Sequence, residues 1–255
     1  MNTLFDINSK VAVVTGGSRG IGAMIARGFL EHGARVYITA RKEDELRAAQ
    51  TELSRYGECM ALRSDLSSNA GVAEFVQSFA ALESRLDILV NNAGTTWGAP
   101  LDEFPESGWD KVMDLNVKSL FFLTQQCLPL LRAAAANGGR ARVINIGSVN
   151  GLTNSHMDNY SYTASKAAVH HLTRHLATDL AGDGINVNAI APGLFPSKMT
   201  SHLLPQEQEL AQTFPIKRLG RAEDAAGTAI FLASQASEWI TGQVLALDGG
   251  AVAQA

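Results

Sequence analysis

Near its amino terminus the chain reads VAVVTGGSRGIG, from Val11 to Gly22. The first five residues form a short β-branched run that is apolar from Val11 to Val14, which is typical of a strand covered by helices on both faces. The glycines that follow allow a tight turn and a close approach of the backbone to a ligand. Because a helix is expected to begin directly after this turn, its first backbone amides can face a phosphate group. This stretch therefore predicts a strand, a phosphate-binding loop and a helix, in that order.

The same alternation of short apolar runs and longer helical stretches continues through the 255-residue chain. Such alternation favours parallel strands joined by right-handed helical crossovers. We therefore predict one α/β domain over residues 1–255, with a doubly wound, Rossmann-type parallel sheet of seven strands and helices on both faces. The predicted strands cover residues 11–15, 35–39, 59–62, 87–90, 142–146, 185–190 and 243–247, and the predicted helices cover residues 21–32, 43–56, 71–83, 107–136 and 162–181.

The region from about residue 194 to residue 215 departs from this alternation. It contains apolar residues and prolines but no strand pattern. Segments that close over a bound substrate are often loops of this kind, so we predict that residues 194–215 cover the substrate.

Composition excludes several classes of protein. The formal net charge is −4, charged residues make up 18% of the chain and no lysine- or arginine-rich block occurs, so we expect no nucleic acid partner. No apolar run approaches the ~20 residues of a membrane span, and the first residues do not resemble a signal peptide. The two cysteines, Cys59 and Cys127, lie far apart and are expected to be reduced. These features predict a cytoplasmic protein without membrane contact.

Three histidines lie close together at positions 170, 171 and 175. His171 and His175 have the i,i+4 spacing of a metal-binding pair. Asp179 continues the same helix face, but no other carboxylate nearby in the sequence completes a site. We therefore expect a surface or subunit-contact role for this cluster and no bound metal.

The end of the second predicted strand indicates which dinucleotide would bind. Enzymes that use NAD usually carry an acid there, which accepts hydrogen bonds from the adenosine 2′-hydroxyl. Here Ala40 occupies that position and Arg41 follows it. Arg41 and Arg19, which lies in the glycine-rich loop, could bind a 2′-phosphate through charge-assisted hydrogen bonds. This pair favours NADP(H) as the cofactor.

Tyr162 and Lys166 lie four residues apart in a predicted helix, so both side chains lie on the same face. A free tyrosine has a pKa of about 10, which is too high for proton transfer at neutral pH. A neighbouring ammonium favours the phenolate and lowers that pKa. The pair is therefore a candidate acid/base, although the same spacing occurs by chance in many helices.

Other polar residues are predicted to meet at the same edge of the sheet. Ser148 follows the fifth strand, at the carboxyl edge where open α/β sheets bind ligands, and its hydroxyl could stabilise a developing alkoxide. The turn at residues 91–94 follows the fourth strand at this edge. Asn116 is polar on an apolar helix face, where it either braces the backbone or holds a water that relays protons to Lys166.

In this order the residues resemble the short-chain dehydrogenase/reductase family over the whole chain. The matching motifs are Thr15-Gly16-x3-Gly20-x-Gly22, Asp65, Asn91-Asn92-Ala93-Gly94, Asn116, Ser148, Tyr162-x3-Lys166, Pro192-Gly193 and Leu247-Asp248-Gly249-Gly250. The resemblance implies a catalytic tetrad of Asn116, Ser148, Tyr162 and Lys166. It places Asp65 at the adenine amino group. The cofactor-binding residues that we assign are Gly16, Ser18, Arg19, Gly20, Ile21, Arg41, Asp65, Leu66, Asn92, Ala93, Gly94, Tyr162, Lys166, Pro192 and Gly193.

Within the family, the chain is similar to NADPH-dependent β-ketoacyl reductases of the kind implicated in rhamnolipid biosynthesis, and more distantly to gluconate 5-dehydrogenases. The shared stretches, residues 16–22, 85–98 and 142–149, lie mostly on the cofactor side. They imply reduction of a ketone or 3-oxoacyl-type carbonyl to a secondary alcohol with NADPH. Two alternatives stay open: an NAD(P)-dependent polyol or sugar-acid dehydrogenase, and a catalytically silent NADP-binding regulator. Family members are usually homotetramers or homodimers, which we expect here.

Six residues are expected from their positions to shape the substrate pocket. Trp97 directly follows the turn at residues 91–94 and is expected at the pocket rim. The set is mainly apolar, which favours a small-molecule ketone with a hydrophobic flank over a bare sugar. The six residues are Trp97, Asn150, Leu152, Met157, Phe195 and Met199.

Overall fold

The computed structural model describes residues 3–136, 139–154, 157–198, 200–201 and 206–254. Seven strands form one sheet, in which all neighbouring strands are parallel. Their order across the sheet is β3-β2-β1-β4-β5-β6-β7, which confirms the predicted doubly wound topology. The strands are β1 (Val11–Thr15), β2 (Arg35–Ala40), β3 (Cys59–Arg63), β4 (Ile88–Asn91), β5 (Ala141–Ile146), β6 (Ile185–Pro192) and β7 (Val244–Leu247).

Helices cover both faces of the sheet, as predicted. On one face the core includes Phe29 and Ile230, and on the other it includes Phe75 and Leu123. Full burial of side chains of this size stabilises the fold by about 1.5–3 kcal/mol each. Within the described residues, no helix is both long and apolar enough to cross a membrane. The helices are α1 (Gly20–Glu31), α2 (Glu43–Leu53), α3 (Asn69–Ala80), α4 (Glu106–Met113), α5 (Ser119–Ala135), α6 (Tyr160–Leu180), α7 (Glu207–Thr213) and α8 (Ala222–Ala233).

The sequence pattern does not predict α7 or α8. Helix α8 consists largely of small residues, so its apolar positions show only weak helical periodicity. Close packing holds it in place, because a Cβ added to Gly28 of α1 would overlap the Ala226 side chain of α8. Helix α7 lies inside residues 194–215, so the segment predicted to cover the substrate is partly helical.

The helix predicted over residues 107–136 is not regular along its length. Helices α4 and α5 are joined by a π-helical turn at Asp114–Lys118. Such turns insert one extra residue and are frequent at functional sites. Asn116 lies within this turn and is 2% exposed. The apolar pattern continues on both sides of the turn, which is why the sequence does not reveal it.

The carboxyl edge of the sheet brings together segments that are far apart in the sequence. Strands β1 and β4 are neighbours, although β2 and β3 separate them along the chain. The Thr15 hydroxyl joins their ends: it donates to the Val90 carbonyl at 3.3 Å and accepts from the backbone N–H groups of Asn92 and Ala93, both at 2.9 Å. A crevice therefore opens where the strand order reverses, which is the usual ligand position in open α/β sheets.

Candidate active site

The glycine-rich loop connects β1 to the first turn of α1. Gly16 and Gly20 have φ angles of +63° and +56°, a left-handed conformation that residues with a side chain rarely adopt. A Cβ on Gly17 would lie 2.6 Å from Ile38 Cγ2, so this position also has no room for a side chain. The loop can therefore present backbone N–H groups and the amino terminus of α1 to an anion.

Asn92 holds this loop from the neighbouring strand end. Its side-chain nitrogen donates to the Thr15 carbonyl at 2.8 Å and to the Gly16 carbonyl at 3.2 Å. These two bonds satisfy the amide donors and tie the loop to the end of β4. Asn92 therefore braces the loop, in addition to lining the crevice where the resemblance places a cofactor contact.

Gly22 provides a direct test of this packing. A Cβ on Gly22 would overlap the Asn92 side-chain nitrogen and lie 2.6 Å from the Gly16 carbonyl oxygen. We expect Gly22→Ala to lower the free energy of unfolding by about 1–3 kcal/mol, because overpacking forces the loop to shift. Chemical denaturation measures this change.

The matched control for this substitution is Gly227→Ala in α8. Apart from its chain neighbours and the backbone of its own helix, no described atom lies within 4 Å of a Cβ added there. We expect this variant to be more stable than wild type by about 0.5–1 kcal/mol, since alanine loses less backbone entropy in a helix. Equal unfolding midpoints for wild type and Gly22→Ala would contradict the packing argument.

A cavity of about 510 Å³ extends along the carboxyl edge, from the glycine-rich loop to α6. All but one of the predicted cofactor residues line it. The exception is Asp65, whose neighbours Ser64 and Leu66 form part of the wall, while its carboxylate accepts from the Ser67 backbone N–H at 3.1 Å. The predicted residues in the lining are Gly16, Ser18, Arg19, Gly20, Ile21, Arg41, Leu66, Asn92, Ala93, Gly94, Tyr162, Lys166, Pro192 and Gly193.

The cavity also contains residues that the sequence pattern does not single out. They belong to separate segments that meet only in the folded chain, so no local motif marks them. Lys42, Glu45 and Lys198 are the charged members, and Glu45 contacts Arg19, one of the residues predicted to bind a 2′-phosphate. They include Lys42, Glu45, Thr95, Thr96, Leu115, Ser197, Lys198 and Thr200.

Ser148, Tyr162 and Lys166 line the same cavity. Tyr162 and Lys166 lie in the first two turns of α6, and Ser148 lies in the loop after β5. Lys166 Nζ donates to the Ile146 carbonyl at 2.8 Å and lies 5.5 Å from the centre of the Tyr162 ring. The Ser148 hydroxyl oxygen accepts from the Asn150 backbone N–H at 3.2 Å. The structure therefore brings these three side chains together.

Burial determines the acid/base behaviour of this group. It raises the pKa of Tyr162 above its ordinary value, and a hydrogen bond from the Ser148 hydroxyl partly offsets that rise. Burial also lowers the pKa of Lys166 to about 8. The expectation that Lys166 lowers the tyrosine pKa is therefore not met in this structure, because desolvation of the phenolate outweighs the favourable contacts. Tyr162 is held here as a protonated phenol.

Asn116 links the π-helical turn to α6. Its side-chain oxygen accepts from the Thr95 backbone N–H at 2.8 Å, and its nitrogen donates to the Thr95 carbonyl at 3.0 Å and to Ser165 Oγ at 2.9 Å. Ser165 Oγ donates in turn to the Tyr162 carbonyl at 2.7 Å. These contacts show that Asn116 braces the backbone, which is one of the two roles considered for it. Its side chain does not line the cavity described above.

His170 departs from the expected surface cluster of histidines. It is 2% exposed and packs beneath the loop that carries Ser148, with Nε2 3.5 Å from the Ser148 backbone nitrogen. His171 and His175 are exposed, and His175 Nε2 lies 3.6 Å from the Asp179 carboxylate. Within the described ranges, no group of three or more His, Cys, Asp or Glu side chains could hold a metal ion.

The residues expected to shape the substrate pocket occupy different surroundings. Phe195 lines the cavity, and its ring packs against Gly220. Trp97 packs on α4, where a Cβ added to Gly108 would lie 2.7 Å from the indole, and it does not line this cavity. The others are Asn150, Leu152 and Met157, which are also absent from the cavity lining, and Met199, which lies outside the described residues.

Comparison with known proteins identifies the family. A family profile described as enoyl-(acyl carrier protein) reductase matches residues 16–252. The rhamnolipids biosynthesis 3-oxoacyl-[acyl-carrier-protein] reductase of Pseudomonas aeruginosa is 52% identical over 253 residues, covering 98% of this chain and 99% of that protein. The chain is a member of the short-chain dehydrogenase/reductase family.

Two further relatives show the range of the short-chain dehydrogenase/reductase family around this chain. The Pseudomonas aeruginosa RhlG/NADP active-site complex has a TM-score of 0.95 and 51% identity, covering 99% of this chain and 100% of that one. The gluconate 5-dehydrogenase of Gluconobacter oxydans is 36% identical over 251 residues, covering 97% of this chain and 96% of that protein. The resemblance inferred from the motifs is confirmed, and the relatives are named for different substrates.

Proposed function

We propose that the protein reduces a ketone or 3-oxoacyl-type carbonyl to a secondary alcohol, with NADPH as the hydride donor. The observation that carries this proposal is a single cavity, which joins the phosphate-binding loop at one end to Ser148, Tyr162 and Lys166 at the other. The 52% identical relative is named a 3-oxoacyl reductase, and the structure with a TM-score of 0.95 is an NADP complex, which supports the same reaction.

The cavity fits a dinucleotide that carries a 2′-phosphate. Its two left-handed glycines leave room for a pyrophosphate beside the amino terminus of α1. Ala40 places no acid at the end of β2, and Arg19 and Arg41 supply positive charge along the same wall. When bound, the reduced nicotinamide supplies a hydride to the carbonyl carbon. Asp65 stands beside the adenine subsite in this arrangement.

The three catalytic side chains have distinct roles in this reaction. The Ser148 hydroxyl donates a hydrogen bond to the substrate carbonyl oxygen and stabilises the charge that develops there. The Tyr162 O–H donates a proton to that oxygen, and its raised pKa keeps the phenol protonated at neutral pH. The Lys166 ammonium stabilises the phenolate that remains. Asn116 positions Tyr162 through Ser165.

The same proposal covers domain organisation and assembly. Residues 1–255 form one domain, in which the segment 194–215 covers the bound substrate and Phe195 contributes to the pocket wall; residues 199 and 202–205 of this segment lie outside the described residues. The chain assembles as a homotetramer or homodimer, as is usual in this family, and works in the cytoplasm. Light scattering coupled to size-exclusion chromatography measures the number of subunits.

A second candidate function is oxidation of a polyol or sugar acid. The observation that favours it is the 36% identity to the Gluconobacter oxydans gluconate 5-dehydrogenase. The same side chains would serve this reaction in the opposite direction, with Tyr162 as the base that accepts the alcohol proton.

Cofactor consumption separates these functions. The purified protein is mixed with NADPH or NADH and with acetoacetyl thioesters, aryl ketones, β-keto esters or 5-ketogluconate. We expect NADPH oxidation with the thioesters and much slower oxidation of NADH. A strong preference for 5-ketogluconate would favour the second function. Binding of NADPH without turnover of any carbonyl would favour a regulator, and a preference for NADH would contradict the cofactor assignment.

The pKa of Lys166 predicts how the rate of reduction depends on pH. Its pKa of about 8 makes the side chain an ammonium below that pH and a neutral amine above it. Because the ammonium stabilises the phenolate left by proton donation, we expect kcat/KM for reduction to be constant at lower pH and to fall as the pH rises through about 8. Initial rates across this range measure the profile. Lys166→Arg retains the charge and should move the fall to higher pH, whereas a wild-type profile without any fall would contradict this role.

A further inference from the structure

The Glu45 carboxylate lies at the end of the cavity where Arg19 and Arg41 are proposed to bind the 2′-phosphate. Arg19 Nη1 donates to its Oε2 at 2.8 Å, and Lys42 Nζ donates to its Oε1 at 2.9 Å. Lys198 Nζ lies 4.0 Å from the same Oε1. One carboxylate thus contacts three cations, which come from the glycine-rich loop, the start of α2 and the region after β6.

These ion pairs contribute little to the stability of the fold. The side chains of Arg19, Lys42 and Lys198 are 55%, 67% and 68% exposed, and that of Glu45 is 39% exposed. Exposed ion pairs gain little energy because solvent screens them and both side chains lose entropy. The hydrogen bond from Lys42 holds the pKa of Glu45 below its ordinary value, so the carboxylate is charged at neutral pH. The cluster is therefore a charged and easily rearranged part of the cavity wall.

A 2′-phosphate and the Glu45 carboxylate would compete for the same donors. Arginine binds phosphate with two parallel N–H groups, and one terminal nitrogen of Arg19 is already engaged by Glu45. Two anions that share the same cations also repel each other. A ribose with a free 2′-hydroxyl carries no charge, so it neither competes with Glu45 for these donors nor is repelled by it. Glu45 therefore lowers the affinity only for the cofactor that carries the 2′-phosphate.

We propose that Glu45 is a specificity-determining residue. Its carboxylate is the counter-ion of Arg19 and Lys42, and the 2′-phosphate displaces it when NADP(H) binds. Glu45 thereby reduces the preference for NADP(H) over NAD(H). Lys42 and Lys198 become additional ligands of the phosphate once Glu45 is displaced. The inference rests on the proposed use of NADP(H), and it assigns a role to three residues that the sequence motifs do not single out.

Binding of adenosine fragments tests this role without catalysis. The probes are 2′,5′-ADP, which carries the 2′-phosphate, and 5′-AMP, which lacks it, with NADP+ and NAD+ as the full cofactors. Glu45→Gln keeps the size of the side chain and removes its charge. We expect calorimetry to show 2′,5′-ADP and NADP+ bound about three- to tenfold more tightly by this variant, with 5′-AMP and NAD+ unchanged. Lys42→Ala and Lys198→Ala should each weaken binding of only the two probes that carry a 2′-phosphate, 2′,5′-ADP and NADP+.

Glu43→Gln is the matched control. Glu43 also lies in the first turn of α2, so both variants lose the same interaction with the helix dipole. Its carboxylate accepts from Arg47 at 2.7 Å, and Glu43 does not line the cavity. Unchanged binding of all four probes is expected for this control.

Three results would overturn the inference. If Glu45→Gln binds 2′,5′-ADP more weakly, Glu45 orients Arg19 instead of competing with phosphate. If the affinity is unchanged while Arg19→Ala weakens 2′,5′-ADP, the NADP assignment stands and the role of Glu45 fails. If the wild-type protein does not distinguish 2′,5′-ADP from 5′-AMP, the proposed cofactor preference fails together with the inference.

Discussion

Tyr162→Phe is expected to reduce kcat for carbonyl reduction by about 10²–10⁴-fold, the usual contribution of a positioned general acid. Phenylalanine retains the ring that packs near Lys166, but it has no proton to donate to the substrate oxygen. NADP+ binding should stay largely intact, because the phosphate loop and the arginines at the other end of the cavity are unchanged. Steady-state kinetics and cofactor titration measure the two effects separately.

Tyr160→Phe is the control for this variant. Tyr160 lies two residues earlier on α6, is 37% exposed, and donates its hydroxyl hydrogen bond to Asp158 at 3.2 Å. It does not line the cavity, so we expect normal turnover when its hydroxyl is removed. A Tyr162→Phe enzyme with near-normal kcat would show that another group donates the proton.

Ser148→Ala is expected to lower kcat by about 10²–10³-fold, which is the effect of removing one hydrogen-bond donor from a developing oxyanion. The Ser148 hydroxyl lines the cavity and contacts the Tyr162 phenol, so it is placed to meet the same oxygen that the phenol protonates. Because the interaction strengthens as charge develops, the loss should occur in kcat more than in KM. Single-turnover measurements with a ketone substrate follow the chemical step directly.

Ser161→Ala is the matched substitution for Ser148→Ala. Ser161 lies beside Tyr162 on α6 and is fully buried, and its hydroxyl has no hydrogen-bond partner among the described residues. Removing that hydroxyl should leave turnover unchanged. If both serine variants lost activity equally, the loss would reflect disturbed packing around Tyr162, and Ser148 would have no special role.

Local patterns along the chain were sufficient for much of the fold. Short runs rich in apolar residues, such as Val11–Val14, predict all seven strands near their observed positions, because strands of a parallel sheet covered by helices are rich in such residues. The apolar pattern does not predict α8, whose small residues show only weak periodicity; its position is fixed by the close approach of the Ala226 side chain to Gly28 of α1. The apolar pattern also does not predict the π-helical turn, since one inserted residue leaves the surrounding pattern intact.

The candidate site likewise combines features that the sequence predicts with features that only the folded structure shows. The i,i+4 spacing of Tyr162 and Lys166 and the position of Ser148 after a strand were readable, because helix periodicity and parallel sheet topology place such residues at one edge. The bracing role of Asn116 was one of two possibilities in the sequence, and hydrogen bonds to Thr95 and Ser165 show it in the structure. Hydrogen bonds of this kind depend on distances between segments that no spacing along the chain specifies.

The sequence by itself determined the sheet, the phosphate loop and the identity of the residues at its carboxyl edge, because each follows from a local period or from a turn that requires glycine. Only the tertiary structure decided their electrostatics. Burial raises the pKa of Tyr162, where spacing alone suggested a lowering, and burial depends on what packs around the phenol. Likewise Glu45 meets Arg19 and Lys198 only in the fold, since three distant segments must converge before their charges interact.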